Sequence, residues 1–154
     1  MDEPSNAQAL AEAAGRAMYA NDHASRALGI ALEEIRPGYA RMRMTVRKDM
    51  VNGHDICHGG IIFTLADSTF AFACNSHNHV TVAQGASIEF LAPGKLGDRL
   101  TAVGEERHVR GRNGVYDIVV TNQDGERIAL FRGKSFRLHG QIVGPDQPPP
   151  RPAA

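Results

Sequence analysis

The pattern of apolar and polar positions divides the chain into a helix, a strand region, a second helix and a run of further strands. Over residues 7–20, apolar side chains recur at intervals of three and four residues, which predicts a short amphipathic helix. In the stretch ARMRMTVR, polar side chains alternate with Met42, Met44 and Val46, which predicts a half-buried strand. One or two strands are therefore expected before the second helix.

The second helix is predicted from a strongly apolar segment that follows a loop over 51–57. Ten of the sixteen residues at 61–76 are apolar, which is typical of a buried helix. Further along, the pattern predicts four strands, at 81–92, 98–110, 115–122 and 127–138. The turns GRNGV and NQDGE separate the last three, and their Asn-Gly and Asp-Gly pairs are typical of hairpins. We expect the four strands to form an antiparallel meander.

These elements predict an α+β fold, in which an antiparallel sheet of five to six strands wraps around one long central helix. The sheet has an apolar face to cover, and one long apolar helix is available to cover it. Few residues remain to protect the sheet edges, so pairing with a second copy is expected. We expect an N-terminal helix or arm over 1–20, a folded domain over 21–140 and a disordered Pro-rich tail over 141–154.

Composition and charge argue against several classes of function. Lys plus Arg and Asp plus Glu balance at 17 each, so no basic field favours nucleic acid as a partner. No run approaches the roughly 18 apolar residues of a membrane helix, and the acidic start lacks the basic region of a signal peptide. Cys57 and Cys74 would lie roughly 25 Å apart on a helix, too far for a disulfide. A reducing cytoplasm is the expected location.

A single carboxylate, Asp67, interrupts the apolar helix. Its neighbours at three and four residues are Phe63, Thr64, Phe70 and Ala71, and three of these are apolar. A carboxylate in such surroundings loses hydration, which raises its pKa unless a donor or a cation compensates. Asp67 is therefore either a structural bridge or a base or nucleophile that faces a cleft.

Two glycines, Gly59 and Gly60, stand where this helix begins. The first N–H groups of a helix lack intrahelical acceptors, and a ligand oxygen can approach them closely where no Cβ intervenes. The glycines could form an oxyanion hole or an anion site, or they could serve only the geometry of the turn. Gly60 and Asp67 are about 10 Å apart along one helix. If both act on one substrate, we expect them to come from different subunits, across a dimer interface.

The segment NGHDICHGGIIFTLADSTFAFACNS resembles the signature of hot-dog-fold acyl-CoA thioesterases, most closely the PaaI-like phenylacetyl-CoA thioesterases of phenylacetate degradation. The similarity extends from about residue 18 to 144 and includes AMYANDHASRALGI, FLAPG, HVRGRNGVYDI and ALFRGKS. It implies a hot-dog fold that hydrolyses an acyl-CoA, with phenylacetyl-CoA or a hydroxylated phenylacetyl-CoA as the expected substrate. It also implies a homodimer that pairs into a tetramer. CoA is part of the substrate, and no cofactor is expected.

The resemblance implies roles for three residues around the thioester. Asp67 matches the catalytic carboxylate, which acts as general base or as nucleophile. Gly59 matches the residue whose backbone N–H polarises the thioester carbonyl. Asn52 matches an asparagine that helps to place the thioester or the attacking water.

Further site residues are expected from the same resemblance. Some relatives have a serine or threonine that orients water where this chain has Ala83, unless Gln84 or Ser87 replaces it. His58 is expected to contact the substrate or to support the loop, and Gly60 to line the same helix start. Basic side chains near the last two hairpins are candidates for binding the CoA phosphates: Arg110, Arg112, Arg132, Lys134 and Arg137.

Two rival functions remain open. A hot-dog dehydratase would use a histidine and a carboxylate for proton abstraction, and His58 and Asp67 are the candidates for that pair. A non-catalytic acyl-CoA binding protein would hold the same ligand without turnover. A zinc site at Cys57 and the neighbouring histidines lacks the C-x-x-C spacing of common zinc sites, and no metal is expected.

Overall fold

The computed structural model describes residues 6–144 of the chain. The first helices and strands are α1 (Asn6–Asn21), α2 (His23–Ala27), β1 (Ala31–Arg36) and β2 (Tyr39–Thr45), followed by one turn of 3₁₀ helix (Lys48–Met50). The remaining elements are α3 (Gly59–Asn75), β3 (His79–Phe90), β4 (Arg99–Arg110), β5 (Asn113–Thr121) and β6 (Arg127–Gln141). Most of the predicted disordered tail lies outside the described residues, so that disorder stays a prediction.

The six strands form one antiparallel sheet in the order β1-β2-β4-β5-β6-β3. The two predicted hairpins, β4–β5 and β5–β6, are confirmed. The predicted meander of four strands is wrong, because β3 pairs with β6 and not with β4. The free edge of β4 is taken by β2, which pairs with it from Tyr39 to Thr45. Consequently β3 lies at the far edge of the sheet, with no strand on its other side within the described chain.

The long apolar helix predicted at 61–76 is α3, which packs on one face of the sheet against β2, β3, β4 and β5. Leu65, Ala66 and Phe72 are fully buried on it. The sheet approaches the helix closely at Gly133, where an added Cβ would lie 2.7 Å from the Phe70 ring. Burial of such side chains stabilises the fold by about 1.5–3 kcal/mol each, which makes α3 the centre of the core.

The N-terminal helices cover a further side of α3. α1 packs against β1 and α3, with Ala11, Ala14 and Gly15 on its buried face. The five-residue helix α2 was not predicted from the sequence. It begins after Asp22, whose side chain accepts a hydrogen bond from the Ser25 backbone N–H at 3.0 Å, and the Ser25 hydroxyl lies 2.8 Å from that of Ser68 on α3.

Both cysteines are buried free thiols. Burial raises the pKa of Cys57 to about 11 and the pKa of Cys74 to about 12, so neither is a thiolate nucleophile at neutral pH. No helix among residues 6–144 is both long and apolar enough to span a membrane.

Candidate active site

The start of α3 presents two unpaired backbone amides. His58 precedes the helix with an extended backbone, and its carbonyl accepts hydrogen bonds from the N–H groups of Ile61 and Ile62 at 3.0 and 3.2 Å. Within residues 6–144, the N–H groups of Gly59 and Gly60 have no acceptor. They are therefore available to an oxygen atom of a ligand, at the positive end of the helix dipole.

The loop before α3 is held rigidly, so these amides have fixed directions. Cys57 forms a bridge with Val51 and donates its N–H to the Gly94 carbonyl at 2.7 Å. The His58 N–H donates to the Met50 carbonyl at 2.9 Å. The His58 backbone thus supports the loop, as one of its two predicted roles requires, while its imidazole is exposed.

The two glycines differ in their surroundings. A Cβ added at Gly59 would lie 2.9 Å from the Phe90 ring, whereas a Cβ at Gly60 would meet no atom within 4 Å. Phe90 is 52% exposed on β3, so its ring can move aside. Glycine at 59 therefore permits the contact with Phe90, and glycine at 60 leaves the solvent side of the helix start open.

Asn52 organises the loop through half of its side-chain amide. Its Oδ1 accepts hydrogen bonds from the N–H groups of His54 and Ile56 at 2.9 and 3.2 Å. Its Nδ2 donates to no group within the described residues. One face of the amide thus fixes the loop, and the other keeps a free donor for a substrate or a water molecule.

Asp67 lies in the middle of α3 and is half-buried. Burial raises the pKa of its carboxyl group above the ordinary 3.8. No hydrogen bond or ion pair to this carboxylate occurs within residues 6–144, so the structural bridge considered from the sequence is not present in the protomer. One turn earlier, the Phe63 ring packs edge-on against Phe131 at 5.2 Å between centroids. The carboxylate is therefore a poorly solvated, uncompensated base beside an aromatic surface.

Asp67 belongs to a stripe of α3 that the protomer leaves partly uncovered. The other incompletely buried residues of this stripe are Gly60, Phe63, Thr64 and Ala71. The edge strand β3 beside it is exposed along most of its length, including Val82 at 42%. A helix face and a strand edge on the same side of the protomer thus lack a covering partner.

The residues predicted for water orientation occupy different positions on β3. Ala83 pairs with Ser135 of β6, and the register shifts between Ala83 and Gly85, which leaves Gln84 as the extra residue of a bulge. Ser87 pairs with Arg132. That position lies on the sheet face opposite α3, because Arg132 is exposed whereas its neighbour Phe131 packs against the helix.

The five candidate phosphate-binding residues divide into two groups. Arg132 donates to both oxygens of Asp117 at 2.7 and 2.9 Å, and this pairing holds the pKa of Asp117 below its ordinary value. The other four have no carboxylate partner within residues 6–144: Arg110, Arg112, Lys134 and Arg137. Arg132 is already neutralised, so the four cations without a carboxylate partner are better suited to an anionic ligand.

A cleft of about 300 Å³ lies at the C-terminal end of α3, between that helix and residues of β3, β4, β5 and β6. Cys74, Tyr116 and Ser135 line it, and His77 and Glu106 lie at its polar end. The Tyr116 hydroxyl and His77 Nε2 both contact Glu106 Oε1, at 2.7 and 2.8 Å. Neither this cleft nor Ser135 was identified from the sequence. Residues 6–144 contain no group of three or more histidine, cysteine and acidic side chains placed to hold a metal ion.

The chain is similar to known thioesterases over most of its length. Residues 54–129 match the model of the thioesterase superfamily. The acyl-coenzyme A thioesterase PaaI of Escherichia coli is 50% identical over 128 residues, which cover 83% of this chain and 91% of that protein. The solved structure of E. coli PaaI, from the phenylacetic acid degradation operon, superimposes with a TM-score of 0.87 at 46% identity, covering 88% of this chain and 99% of that one.

A hypothetical thioesterase of Streptococcus pneumoniae, solved with coenzyme A, is also similar. It is 31% identical with a TM-score of 0.69, and the match covers 73% of this chain and 87% of that one. The same protein was solved with alanine in place of an aspartate and, separately, with alanine in place of a threonine sixteen residues further along. The aspartate variant is 30% identical to this chain, and the match covers 70% of this chain and 89% of that one. The threonine variant is 31% identical, and the match covers 70% of this chain and 88% of that one. Both superimpose with a TM-score of 0.68.

Proposed function

Because the chain belongs to the PaaI-type acyl-CoA thioesterases of the thioesterase superfamily and has their hot-dog fold, we propose that it hydrolyses phenylacetyl-CoA or a hydroxylated phenylacetyl-CoA at a site shared by two subunits. The observation that carries the proposal is the half-buried, unpaired Asp67 carboxylate on a helix whose first amides are also unpaired. Such a pair can activate a nucleophile and stabilise an oxyanion.

The site is completed by a second copy of the chain. In one protomer, Gly59 and Asp67 lie on the same helix, too far apart to act on one carbonyl group. Strand β3 is a twelve-residue edge with exposed apolar side chains, which favours antiparallel pairing with the same strand of a partner. A two-fold axis beside β3 brings Asp67 of one protomer towards Gly59 of the partner subunit, so a dimer has two sites.

The reaction follows from these two groups. The thioester carbonyl accepts a hydrogen bond from the Gly59 N–H, which is worth a few kcal/mol once negative charge develops on that oxygen. Asp67 then either removes a proton from an attacking water or attacks the carbonyl itself to form a mixed anhydride that water hydrolyses. The C–S bond breaks in both routes, and the products are the free acid and CoA. Thiolate is a good leaving group, so no strong general acid is required.

Two residues before α3 complete the surroundings of the thioester. The free Nδ2 of Asn52 donates a hydrogen bond to the thioester or to the attacking water, while its Oδ1 keeps the loop in place. The exposed imidazole of His58 contacts the substrate at the helix start, beside the open surface at Gly60.

An aromatic acyl group is supported by two observations. The similar E. coli protein comes from the phenylacetic acid degradation operon. In this chain, Phe63 lies one helical turn from Asp67 and offers its partly buried ring, already edge-on to Phe131, to a substrate ring. Edge-to-face contacts between aromatic rings stabilise a complex by about 0.5–1.5 kcal/mol beyond the burial of area.

Thiol release from a panel of acyl-CoA substrates tests this function. We expect kcat/KM for phenylacetyl-CoA and its ring-hydroxylated forms to exceed that for acetyl-CoA and straight-chain acyl-CoA by about tenfold or more, because only the aryl group gains aromatic contacts. Highest turnover of a straight-chain substrate would contradict the aromatic preference. Enoyl product from a 3-hydroxyacyl thioester would indicate a dehydratase, and tight binding without turnover would indicate a binding protein.

The division of the cations predicts which ones bind the CoA phosphates. Alanine at one or more of the four cations without a carboxylate partner is expected to raise KM for acyl-CoA by about three- to tenfold, because a charge-assisted hydrogen bond is lost. These four are Arg110, Arg112, Lys134 and Arg137. Arg132→Ala is the matched control on β6, two residues from Lys134, and is expected to leave KM within about twofold, since Arg132 already pairs with Asp117. The acyl-pantetheine substrate, which lacks the nucleotide, should show no difference. A KM raised most by Arg132→Ala would contradict the assignment.

A further inference from the structure

Strand β3 has alanine where a similar protein has a threonine at the same distance from an aspartate. In the pneumococcal thioesterase, the aspartate and the threonine chosen for replacement are sixteen residues apart. The same interval separates Asp67 from position 83 in this chain, and residue 83 is alanine. If a hydroxyl is needed beside the carboxylate, another residue must supply it.

The cross-strand neighbour of Ala83 carries such a hydroxyl. Ala83 and Ser135 are directly paired in the β3–β6 ladder, so their side chains lie on the same face of the sheet with Cβ atoms about 5 Å apart. That face is the one against α3, because Gly133, two residues before Ser135, contacts Phe70 of the helix. A hydroxyl on Ser135 therefore lies on the same sheet face as one at position 83, one strand away.

The Ser135 hydroxyl has no protein partner in the described chain, although the residue as a whole is almost fully buried. The residue is only 3% exposed, yet its Oγ forms no hydrogen bond within residues 6–144. No side-chain oxygen of the described chain is both unpaired and fully shielded, so this Oγ remains reachable from the cleft that Ser135 lines. A ligand or a water molecule in the cleft can therefore form a hydrogen bond with it.

The surrounding residues leave room for the Ser135 hydroxyl, and the other hydroxyl groups that line the cleft already donate hydrogen bonds. A Cβ on Gly114 would lie 2.5 Å from Ser135 Oγ, so glycine is needed there for the hydroxyl to fit. Of the other hydroxyls that line the cleft, Tyr116 donates to Glu106 and Thr81 donates to the His79 carbonyl. Ser135 is therefore the unpaired one among them.

One residue of the cleft lies on the same helix as Asp67. Cys74, two helical turns after Asp67, lines the same cleft as Ser135. Its pKa is raised chiefly by burial and, in smaller part, by the negative charge of Asp67. Asp67 and Cys74 are seven residues apart, so they lie on the same face of α3, and Cys74 links that face to the cleft.

We infer that Ser135 is a positioning residue, whose hydroxyl orients the attacking water for Asp67 in place of the hydroxyl absent at position 83. This inference rests on the proposed function. The hydroxyl exchanges no proton in the net reaction: water gives one proton to Asp67 and its oxygen to the acyl carbon, the C–S bond breaks, and the proton passes to the thiolate. The Ser135 hydroxyl would bind a water molecule before the reaction and the carboxylate of the free acid after it.

Relocation of the hydroxyl tests the inference. Ser135→Ala is expected to lower kcat for phenylacetyl-CoA about tenfold with KM within about twofold, because the water is bound less well only in the transition state. The double variant Ser135→Ala with Ala83→Ser is expected to recover most of the lost kcat, since a hydroxyl returns to the same sheet face from the paired position on the neighbouring strand. Ala83 is exposed in the protomer, so the added oxygen can be accommodated. Melting temperature and oligomer size are measured for each variant.

The outcomes separate this inference from the proposed function. Wild-type kcat in Ser135→Ala overturns the inference alone, as does a loss that Ala83→Ser fails to recover in a folded protein. A loss in Gln84→Ala but not in Ser135→Ala assigns the role to the bulge residue and also overturns it. Wild-type protein that hydrolyses no acyl-CoA overturns the proposed function, and the inference with it.

Discussion

Asp67→Asn is expected to lower kcat for acyl-CoA hydrolysis by a hundredfold or more. The substitution keeps the size of the side chain but removes both the base and the nucleophile, and general base catalysis typically contributes 10²- to 10⁴-fold. Thiol release under saturating substrate measures the effect. Ser68→Ala is a neighbouring comparison on the buried side of α3, where the hydroxyl contacts Ser25 rather than the open stripe, and it should change kcat far less. Near-normal kcat in Asp67→Asn would exclude Asp67 from the chemistry.

The pH dependence of stability shows whether a loss of activity reflects chemistry or misfolding. Burial raises the pKa of Asp67 above 3.8 in the folded state, so the fold favours the protonated form. The wild-type protein therefore loses stability relative to Asp67→Asn as pH rises through the folded-state pKa. We expect Asp67→Asn to have the higher melting temperature at pH 7 and the difference to vanish below the unfolded-state pKa near 3.8. A lower melting temperature at pH 7 would indicate a structural role.

Gly59→Pro is expected to lower kcat by about 10²- to 10³-fold, because it removes the N–H group proposed to bind the oxyanion. Proline suits the first position of a helix, and the extended backbone of His58, with ψ of 135°, suits the residue before a proline. Gly59→Ala is the matched control: it adds the same Cβ beside Phe90 but keeps the N–H. We expect a clearly smaller loss in Gly59→Ala. Equal losses in the two variants would assign the effect to steric contact with Phe90.

Co-expression of Asp67→Asn with Gly59→Pro tests the sharing of the site between subunits. Each variant alone is expected to be nearly inactive. In a random mixture, half of the dimers contain one chain of each kind, and each such dimer has one site with both groups intact, so about a quarter of the wild-type activity should return. An inactive mixture, with mixed dimers demonstrated by mass spectrometry, would place both groups of a site in one subunit.

The sequence predicts some elements well because local chemistry determines them. The observed α3 differs from the predicted segment by two residues at its start and one at its end, since an apolar run of this length is suited to a buried helix. Asn-Gly and Asp-Gly turns identify the β4–β5 and β5–β6 hairpins. The position of β3 was not predictable in this way, because alternation identifies a strand but not its neighbour. The signal for α2 was present in Asp22 as an N-cap, but five residues have no periodicity.

In the candidate site, too, some residues could be identified from local sequence and others only from the order of the strands. An isolated carboxylate in an apolar helix and a glycine pair at its start are visible in the sequence, so Asp67 and Gly59 could be named from it. Ser135 could not, because RGKSFR reads as a charged strand and the partner of Ala83 depends on the sheet order. The pairing of Arg132 with Asp117 likewise required the structure, since the two residues are on different strands.

The position of β3 beside β6 also determines the order in which the protein can fold during its synthesis. β3 leaves the ribosome long before β6, and β6 is its only strand partner in the described chain. Until β6 emerges, a nascent chain can form the α3 core against β2, β4 and β5, while β3 has its contacts with α3 but no strand partner. Nascent chains on neighbouring ribosomes therefore present an unpaired apolar strand for the time that about 40 further residues take to be made, a few seconds at 5–20 residues per second. Truncation before β6 is predicted to give aggregation-prone chains, whereas changes after Gln141 are not.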